Sequence, residues 1–145
     1  LREYDGSHLS LPGLDKQRLG IDNLYSSQQN AIWRIIQNRG ALIDHEVGLG
    51  KTLTMIVAAH EMKRLQVIDK PVILALKANV DDIRNTFRRA YPNARLLAPS
   101  ETDFSPANRL RLFHEIKNNR WDCIILTHDQ FGKIPQSQEI QREIF

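Results

Sequence analysis

The sequence predicts an α/β fold in which a parallel sheet is flanked by helices. Short, continuous apolar runs alternate along the chain with segments whose apolar residues recur at helical spacing. The runs lack the alternation of a sheet with one face in solvent, so they are typical of strands buried on both faces. With 145 residues, of which 41% are hydrophobic and 26% charged, the chain has the composition of an ordinary globular domain.

Four apolar runs are predicted as strands, at residues 41–43, 72–76, 94–98 and 123–126. Helices are predicted around them, at residues 27–38, 51–65, 80–91, 105–119 and 137–145. Strands and helices that alternate in this way are typical of layered folds on a parallel sheet. Residues 1–23 contain scattered glycines and a proline but no sustained apolar period, so they are predicted as an extended lead-in without regular structure.

Residue types at two helix ends support these boundaries. Asn79 is predicted to cap the helix that follows it, with Asp81 and Asp82 in the first turn facing the positive end of the helix dipole. Ser105 and Pro106 are a cap residue and a first-turn proline, which predict that the next helix starts there.

The composition argues against several functional classes. No apolar stretch approaches the roughly 20 residues that a membrane-spanning helix needs, so no membrane partner is expected. The single cysteine, Cys123, allows no internal disulfide, and a cytoplasmic location is the default expectation. Neither His-Glu-x-x-His nor Gly-x-Ser-x-Gly occurs, so zinc-hydrolase and serine-hydrolase chemistry lack support. The net charge of +3 permits an anionic partner without requiring one.

The segment from His45 to Thr52 carries the clearest chemical signal, because it lies between a predicted strand and a predicted helix. Gly48 and Gly50 allow backbone torsions that turn amide hydrogens inward, and the helix start adds its positive dipole end. Lys51 adds a charge for the β- and γ-phosphates of a nucleotide, and the Thr52 hydroxyl can ligate Mg²⁺. Phosphate-binding loops have glycine where this chain has His45. The simpler alternative is a strand-to-helix turn that contains Gly-x-Gly-Lys-Thr by coincidence.

From Asp44 to Thr52 the chain resembles the first helicase motif of superfamily 2, and most closely that of the Swi/Snf-type DNA translocases. That family usually has an acidic pair, a small or apolar residue and Gly-Leu-Gly-Lys-Thr, and it commonly lacks the first loop glycine; here His45 separates the acidic pair. The resemblance implies a partial RecA-like P-loop NTPase domain that binds ATP and Mg²⁺, with Lys51 and Thr52 as catalytic residues and Thr52 as the Mg²⁺ ligand. It assigns nucleotide binding to Glu46, Val47, Gly48, Leu49, Gly50, Lys51 and Thr52.

Upstream of the loop, the pattern Leu24-x-x-x-Gln28 with a following Trp33 is similar to the family's leucine, glutamine and tryptophan pattern. The resemblance implies that Gln28 recognises adenine, and a primary amide can donate and accept as the adenine edge requires. Gln29 takes this role if the register is shifted by one residue. Ser27 stands where the family usually has an aromatic residue or histidine, and a solvent-facing glutamine at a helix start is the simpler alternative.

Downstream, residues 76–80 and 121–128 resemble two motifs with which superfamily 2 proteins hold the nucleic-acid backbone. The resemblance implies that Lys77, Asn79 and Thr127 contact double-stranded DNA independently of its sequence. A solvated lysine and a strand-end threonine are equally good interpretations of the single residues.

Basic residues outnumber acidic ones between Lys77 and Arg120. This excess is typical of a face that follows phosphates, but charge runs on helices are as often solvated surface. The nine basic residues are Lys77, Arg84, Arg88, Arg89, Arg95, Arg109, Arg111, Lys117 and Arg120, against the five acids Asp81, Asp82, Glu101, Asp103 and Glu115.

ATP hydrolysis in this class needs an acidic pair at the end of an apolar strand, which superfamily 2 writes as Asp-Glu-x-His. No apolar run here ends in that way, and Asp129-Gln130 is a poor substitute that is predicted to lie in a loop. Residues 24–145 are therefore expected to be an incomplete ATPase lobe, with the acidic motif and the second lobe beyond Phe145. Such a piece is expected to be inactive alone, to bind nucleotide weakly, and to be marginally stable or to self-associate through uncovered apolar strands.

The favoured hypothesis is that the chain is part of an ATP-dependent translocase on double-stranded DNA. The alternative is a P-loop nucleotide-binding protein of regulatory or signalling type that does not act on DNA. A scaffold that binds neither ligand is a third hypothesis, against which the intact Gly-Lys-Thr argues. Stimulation of ATP turnover by double-stranded DNA separates the first two.

Overall fold

Three parallel strands form the sheet of the computed structural model, which describes residues 5–38 and 49–135. Strand β1 is Val72–Ala75, β2 is Leu96–Leu97 and β3 is Cys123–Thr127. Strand β3 lies in the middle, with Ala75 opposite Thr127 on one side and Leu96 opposite Cys123 on the other. The predicted parallel sheet is confirmed, and the predicted strand at 41–43 lies outside the described residues.

Six α-helices and one 3₁₀ helix pack around this sheet in the described part of the chain. They are α1 Lys16–Leu19, α2 Ser26–Gln37, α3 Leu49–Arg64, α4 Val80–Ala90, the 3₁₀ helix Glu101–Phe104, α5 Arg109–Asn118 and α6 His128–Gly132. The predicted α/β class is therefore confirmed. The predicted closing helix at 137–145 lies outside the described residues.

Successive side chains of a strand point to opposite faces of a sheet, and β1 and β3 bury both of their faces in this way. Ile73 and Ile125 belong to a large core formed with helices α1 to α4. Val72, Ile124 and Leu126 belong to a smaller core, to which the 3₁₀ helix, α5 and the residues around α6 contribute. This two-sided burial explains why the strands are continuous apolar runs.

Helix α3 is the centre of the larger core, because α2, α4 and the sheet all contact it. Ile56, Val57, Ala58 and Ala59 form four consecutive buried positions with no exposed surface, so apolar residues surround the helix rather than lining one stripe. Each large apolar side chain buried in this way contributes about 1.5–3 kcal/mol to stability. The packing fixes where both ends of α3 lie relative to the sheet.

The lead-in packs onto the same core. Leu11 is buried in it, and the Gly6 amide donates a hydrogen bond of 2.9 Å to Asn30 Oδ1 of α2. The Asp15 amide donates a 2.8 Å bond to the carbonyl of Ala90 at the end of α4. Helix α1 is an element that the sequence did not predict, although a capping aspartate, Asp15, and a left-handed glycine, Gly20, mark its two ends.

Two predicted boundaries are wrong. The helix predicted from Ser105 begins at Arg109, because Ser105 instead follows the 3₁₀ helix and its carbonyl accepts from the amides of Asn108 and Arg109 in a turn. Residues 129–130, predicted as loop, lie inside α6. Asn79 does occupy the N-cap position of α4, but its side chain makes no capping hydrogen bond.

Within residues 5–38 and 49–135, none of the helices combines the length and the apolar composition that crossing a membrane requires.

Candidate functional site

The first turn of α3 contains the part of the predicted nucleotide loop that the structure describes. Helix α3 begins at Leu49, which puts Gly50, Lys51 and Thr52 at its positive dipole end. Lys51 is exposed and Thr52 is buried with 5% of its surface accessible. The other predicted loop residues, Glu46, Val47 and Gly48, lie outside the described residues.

Gly50 has a helical backbone rather than the left-handed torsion for which glycine is needed. The expectation that Gly50 supplies an unusual torsion is therefore wrong. A Cβ at this position would lie 3.4 Å from Nε2 of Gln28, so a side chain from α2 lies directly beside the start of α3.

Gln28 is the side chain that makes this approach. Its Nε2 donates a 3.3 Å hydrogen bond to the carbonyl of Gly50, and its Oε1 accepts a 2.8 Å bond from the amide of Tyr25. The Gly50 carbonyl also accepts a 2.8 Å bond from the Thr54 hydroxyl. A primary amide has two N–H groups and two lone pairs, so Gln28 retains one donor and one acceptor for a further ligand.

Gln29 does not share this position. Its backbone carbonyl lies against the lead-in, where a Cβ on Gly6 would come within 2.0 Å of it. Tyr25, the N-cap residue of α2, is 78% exposed beside the Gln28 amide. The sequence did not single out Tyr25, although glutamine at the third helical position is half of a capping box and indicates where the helix starts.

The remaining predicted residues lie at the carboxyl edge, which we define as residues 76–82, 97–104 and 127–135, at and beyond the ends of the three strands. Because Ala75 pairs with Thr127, Lys77 and Thr127 leave neighbouring strands at the same edge. Lys77 is exposed and Asn79 is half-buried. Helix α3 runs back to the start of β1, so its first turn lies on this side of the sheet as well.

Thr127 has a structural role at this edge. Its hydroxyl accepts a 3.1 Å hydrogen bond from the amide of Gln130 and caps α6, and only 5% of the residue is exposed. The Gln130 side chain accepts from the Thr127 amide at 3.0 Å and donates to the carbonyl of Pro99 and to Glu101, both at 3.3 Å. Gln130 thereby ties the end of β3 to the loop after β2. The Thr-x-x-Gln capping-box pattern was the signal that could have identified it.

The other end of α3 carries an ionic pair in which the carboxylate is buried and the arginine is exposed. Glu61 has no exposed surface, and Arg64 contacts both of its carboxylate oxygens at 2.9 Å. Burial alone would raise the pKa of Glu61, but the neighbouring His60 and Arg64 outweigh it and hold that pKa below its ordinary value. His60 Nδ1 is 3.6 Å from the carboxylate, too far for a hydrogen bond, so Arg64 makes the direct contact.

His60 also stacks on Tyr91, with 3.7 Å between the ring centroids and 7° between the ring planes. The Tyr91 hydroxyl is buried and has no hydrogen-bond partner among the described residues. Burial raises the pKa of this hydroxyl, so it remains protonated at neutral pH.

Charge is distributed unevenly between the two ends of the sheet. We define the amino edge as residues 60–70, 86–95 and 115–122, the helix ends and loops that precede the strands. It has eight cations, Lys63, Arg64, Lys70, Arg88, Arg89, Arg95, Lys117 and Arg120, against the four acids Glu61, Asp69, Glu115 and Asp122.

The carboxyl edge has the opposite balance. Its two cations are Lys77 and Lys133, and its five acids are Asp81, Asp82, Glu101, Asp103 and Asp129. The basic residues counted between Lys77 and Arg120 therefore do not form one face, and five of the nine lie at the amino edge. The possibility of a single phosphate-following face that includes Lys77 is not supported by this arrangement.

A comparison with models of protein families finds a match for the chain. A family model described as "Probable helicase domain" matches residues 33–145, which is well over half of the chain. No curated protein matches the sequence. The matched region contains the first turn of α3, all three strands and both edges of the sheet.

Proposed function

The chain belongs to the family of probable helicase domains, and from that premise we propose that it supplies the ATP-binding part of a superfamily 2, Swi/Snf-type translocase on double-stranded DNA. One observation carries the proposal. Gln28 lies on α2, whereas Lys51 and Thr52 lie together on α3, and the 3.3 Å bond from Gln28 to Gly50 joins the two segments at the first turn of α3.

In this proposal the phosphates of ATP lie at the start of α3. The helix dipole and the Lys51 ammonium favour the anionic phosphates there, as in phosphate-binding loops generally. The resemblance assigns Glu46, Val47, Gly48 and Leu49 to the same cradle. The stabilising effect of the Lys51 charge would increase as negative charge develops on the transferred phosphate.

Mg²⁺ fits the donor set at this position. The Thr52 hydroxyl is a hard oxygen ligand one residue after Lys51, and Mg²⁺ at nucleotide sites typically takes one or two protein oxygens together with substrate phosphates and water. In the described part of the chain no cluster of three His, Cys, Asp or Glu residues offers an alternative metal site. When bound, the ion would neutralise charge on the ATP phosphates.

Gln28 would recognise the adenine base. The amide keeps one free N–H and one free lone pair after its bonds to Gly50 and Tyr25, and the adenine edge presents an acceptor nitrogen beside an amino donor. Because the same amide contacts the first turn of α3, base and phosphate sites would be joined by one side chain.

Lys77 and Asn79 would contact the DNA backbone at the carboxyl edge. Lys77 is exposed, and the Asn79 amide is free of a capping bond to α4. Both side chains suit phosphate oxygens and carry no base specificity. Thr127 is a weaker candidate, because its buried hydroxyl already caps α6.

Titration calorimetry with ATP and Mg²⁺ tests the nucleotide site. We expect Lys51→Ala to weaken ATP binding at least tenfold, about 1.4 kcal/mol, since the variant removes the charge beside the phosphates. Lys63→Ala is the matched control, because it removes a lysine from the opposite end of the same helix. Equal affinity in the Lys51 variant and the unchanged protein would contradict the proposal.

ATP turnover in a protein that contains this chain tests the DNA substrate. The translocase proposal predicts that double-stranded DNA stimulates hydrolysis, whereas a regulatory or signalling NTPase would hydrolyse ATP at the same rate with and without DNA. A Lys51→Ala version of that protein provides the background rate.

A further inference from the structure

The amino edge carries cations that the proposed contacts of the carboxyl edge do not use. Three of its eight cations are engaged: Arg64 with buried Glu61, Lys63 with Asp69 at 3.3 Å, and Lys70 with the last carbonyls of α5 at 2.6 and 2.9 Å. The other five are exposed, and no acidic residue in the described ranges forms an ion pair with them. They are Arg88, Arg89, Arg95, Lys117 and Arg120.

Helix dipoles explain only part of this accumulation. Arg88, Arg89 and Lys117 lie in the last turns of α4 and α5, where cations complement the negative helix end. Arg95 and Arg120 lie outside any helix. The carboxyl-terminal end of each helix carries about half a negative elementary charge. The ends of α3, α4 and α5 at the amino edge therefore reduce its excess of four positive charges without cancelling it.

The loop residues among these cations are held in a defined arrangement. The Arg95 backbone exchanges two 2.8 Å hydrogen bonds with Asp122, which links the starts of β2 and β3. The Arg95 guanidinium lies over the Trp121 ring, 5.3 Å from its centroid. The Trp121 ring is itself fixed by a 2.9 Å bond from its Nε1 to the carbonyl of Glu115. Arg120 is adjacent to Trp121 in sequence, so it belongs to the same loop, and its side chain is exposed.

We propose that the amino edge is a second surface for double-stranded DNA, which contacts the phosphate backbone without reading bases. Four of the five cations without an acidic partner in the described ranges are arginines, whose planar guanidinium group binds phosphate oxygens in a bidentate manner. The choice of DNA as the ligand rests on the proposed function, which the helicase family match supports. The proposal goes beyond the ATPase and the carboxyl-edge contacts proposed above, because it assigns DNA binding to the opposite side of the sheet.

Fluorescence anisotropy with a short labelled duplex of mixed sequence, without nucleotide, tests the surface. The triple variant Arg88→Gln, Arg89→Gln, Arg120→Gln removes three exposed charges and leaves the Arg95–Trp121 contact in place. We expect its affinity for the duplex to fall at least tenfold. We also expect the plot of log K against log salt, between about 50 and 200 mM, to become less steep: the magnitude of its negative slope should fall by about two to three, because each lost phosphate contact removes about 0.9.

The matched control is the triple variant Arg18→Gln, Arg34→Gln, Arg109→Gln, which removes three exposed arginines outside both edges. We expect it to change affinity less than threefold. Replacing Arg88, Arg89 and Arg120 by lysine should restore most of the binding, which separates loss of charge from misfolding. An equal loss in both glutamine triples, or no duplex binding at low salt, would overturn the proposal.

A competition arm addresses acidic proteins as partners. Polyglutamate at the same charge concentration should displace the duplex poorly, and displacement as effective as that by unlabelled DNA would overturn the assignment to DNA. The anisotropy is measured without nucleotide, so failure of the amino-edge proposal is distinguishable from failure of the ATP site, which calorimetry measures.

Discussion

The carboxyl and amino edges of the same sheet use their polar residues differently. At the carboxyl edge, the hydrogen bonds of Thr127 and Gln130 stabilise α6 and the loop after β2. At the amino edge, the buried Glu61 carboxylate binds Arg64, and the four other arginines are exposed and form no ion pair with an acid of the described ranges. A motif position at a strand end is therefore not by itself an available contact.

Part of the charge difference follows from helix geometry. Helices that follow parallel strands begin at the carboxyl edge and end at the amino edge, so acids are favoured at the first edge and cations at the second. Asp81 and Asp82 in the first turn of α4, with Arg88 and Arg89 in its last turn, fit this rule. Arg95 and Arg120 lie outside the helices, so helix dipoles do not explain their position. They are the residues that favour a binding surface over helix stabilisation alone.

The largest effect is expected from Glu61→Ala at the amino edge. The substitution removes the buried carboxylate that accepts two 2.9 Å hydrogen bonds from the exposed Arg64 guanidinium, and a hydrogen bond to a charged group contributes about 1.5–3 kcal/mol. Urea unfolding at neutral pH measures the loss. Glu61→Gln is the control that keeps hydrogen-bonding capacity, and it should cost less. A loss below about 1 kcal/mol for Glu61→Ala, the range of surface pairs, would show that the pair is not structural.

The same pair gives a pH dependence whose sign is fixed. The pKa of Glu61 in the folded chain is lower than its ordinary value of 4.5. Its contribution is therefore fully present above that value and is lost as pH falls through the folded pKa. The difference in unfolding free energy between the unchanged protein and Glu61→Gln should be largest near neutral pH and shrink in acid. A difference that grows in acid would contradict the assignment.

A smaller loss is expected from Gly6→Ala, on the side of the molecule that holds Gln28. The new Cβ would meet the Gln29 carbonyl at 2.0 Å, so the lead-in must move off α2. Overpacking of this kind costs about 2 kcal/mol. Gly132→Ala is the matched control, because no atom lies within 4 Å of its Cβ position. Equal urea midpoints for the two variants would contradict the observed packing of the lead-in.

Thr127→Val tests the structural role of a carboxyl-edge residue. It removes the hydroxyl that caps α6, and losing an N-cap costs about 1 kcal/mol. Thr127→Ser keeps the hydroxyl and should recover most of the stability in a thermal melt. If Thr127→Val instead retained stability and lost duplex affinity, the hydroxyl would belong to the DNA contact rather than to the cap.

The smallest change in stability is expected from Lys77→Gln. An exposed lysine contributes within about 0.5 kcal/mol to unfolding, so the melt should be unchanged. Under the proposed function, the magnitude of the negative slope of log K against log salt for duplex binding falls by about one. Comparing this variant with the amino-edge triple shows which edge carries more of the affinity. An unchanged slope would remove Lys77 from the interface.

Secondary structure that depends on the pattern of neighbouring residues was predictable from the sequence. Continuous apolar runs identified β1 and β3 because a strand buried on both faces has no polar alternation. The helical periods identified α2 to α5, although α5 starts four residues later than its serine and proline suggested. Capping signals at α1 and α6 were present in the sequence and would have improved both assignments.

Periodicity and capping are properties of neighbouring residues, so the sequence alone predicts the α/β class, the order of the strands and of helices α2 to α5, and the position of Gly-Lys-Thr at a helix start. It does not predict that Gln28 rather than Gln29 meets Gly50, that the Thr127 hydroxyl is bonded to Gln130, or that four arginines lie at the edge opposite Lys77. These outcomes depend on contacts between segments distant in sequence, and they follow from how α3 and the sheet pack together rather than from any local pattern.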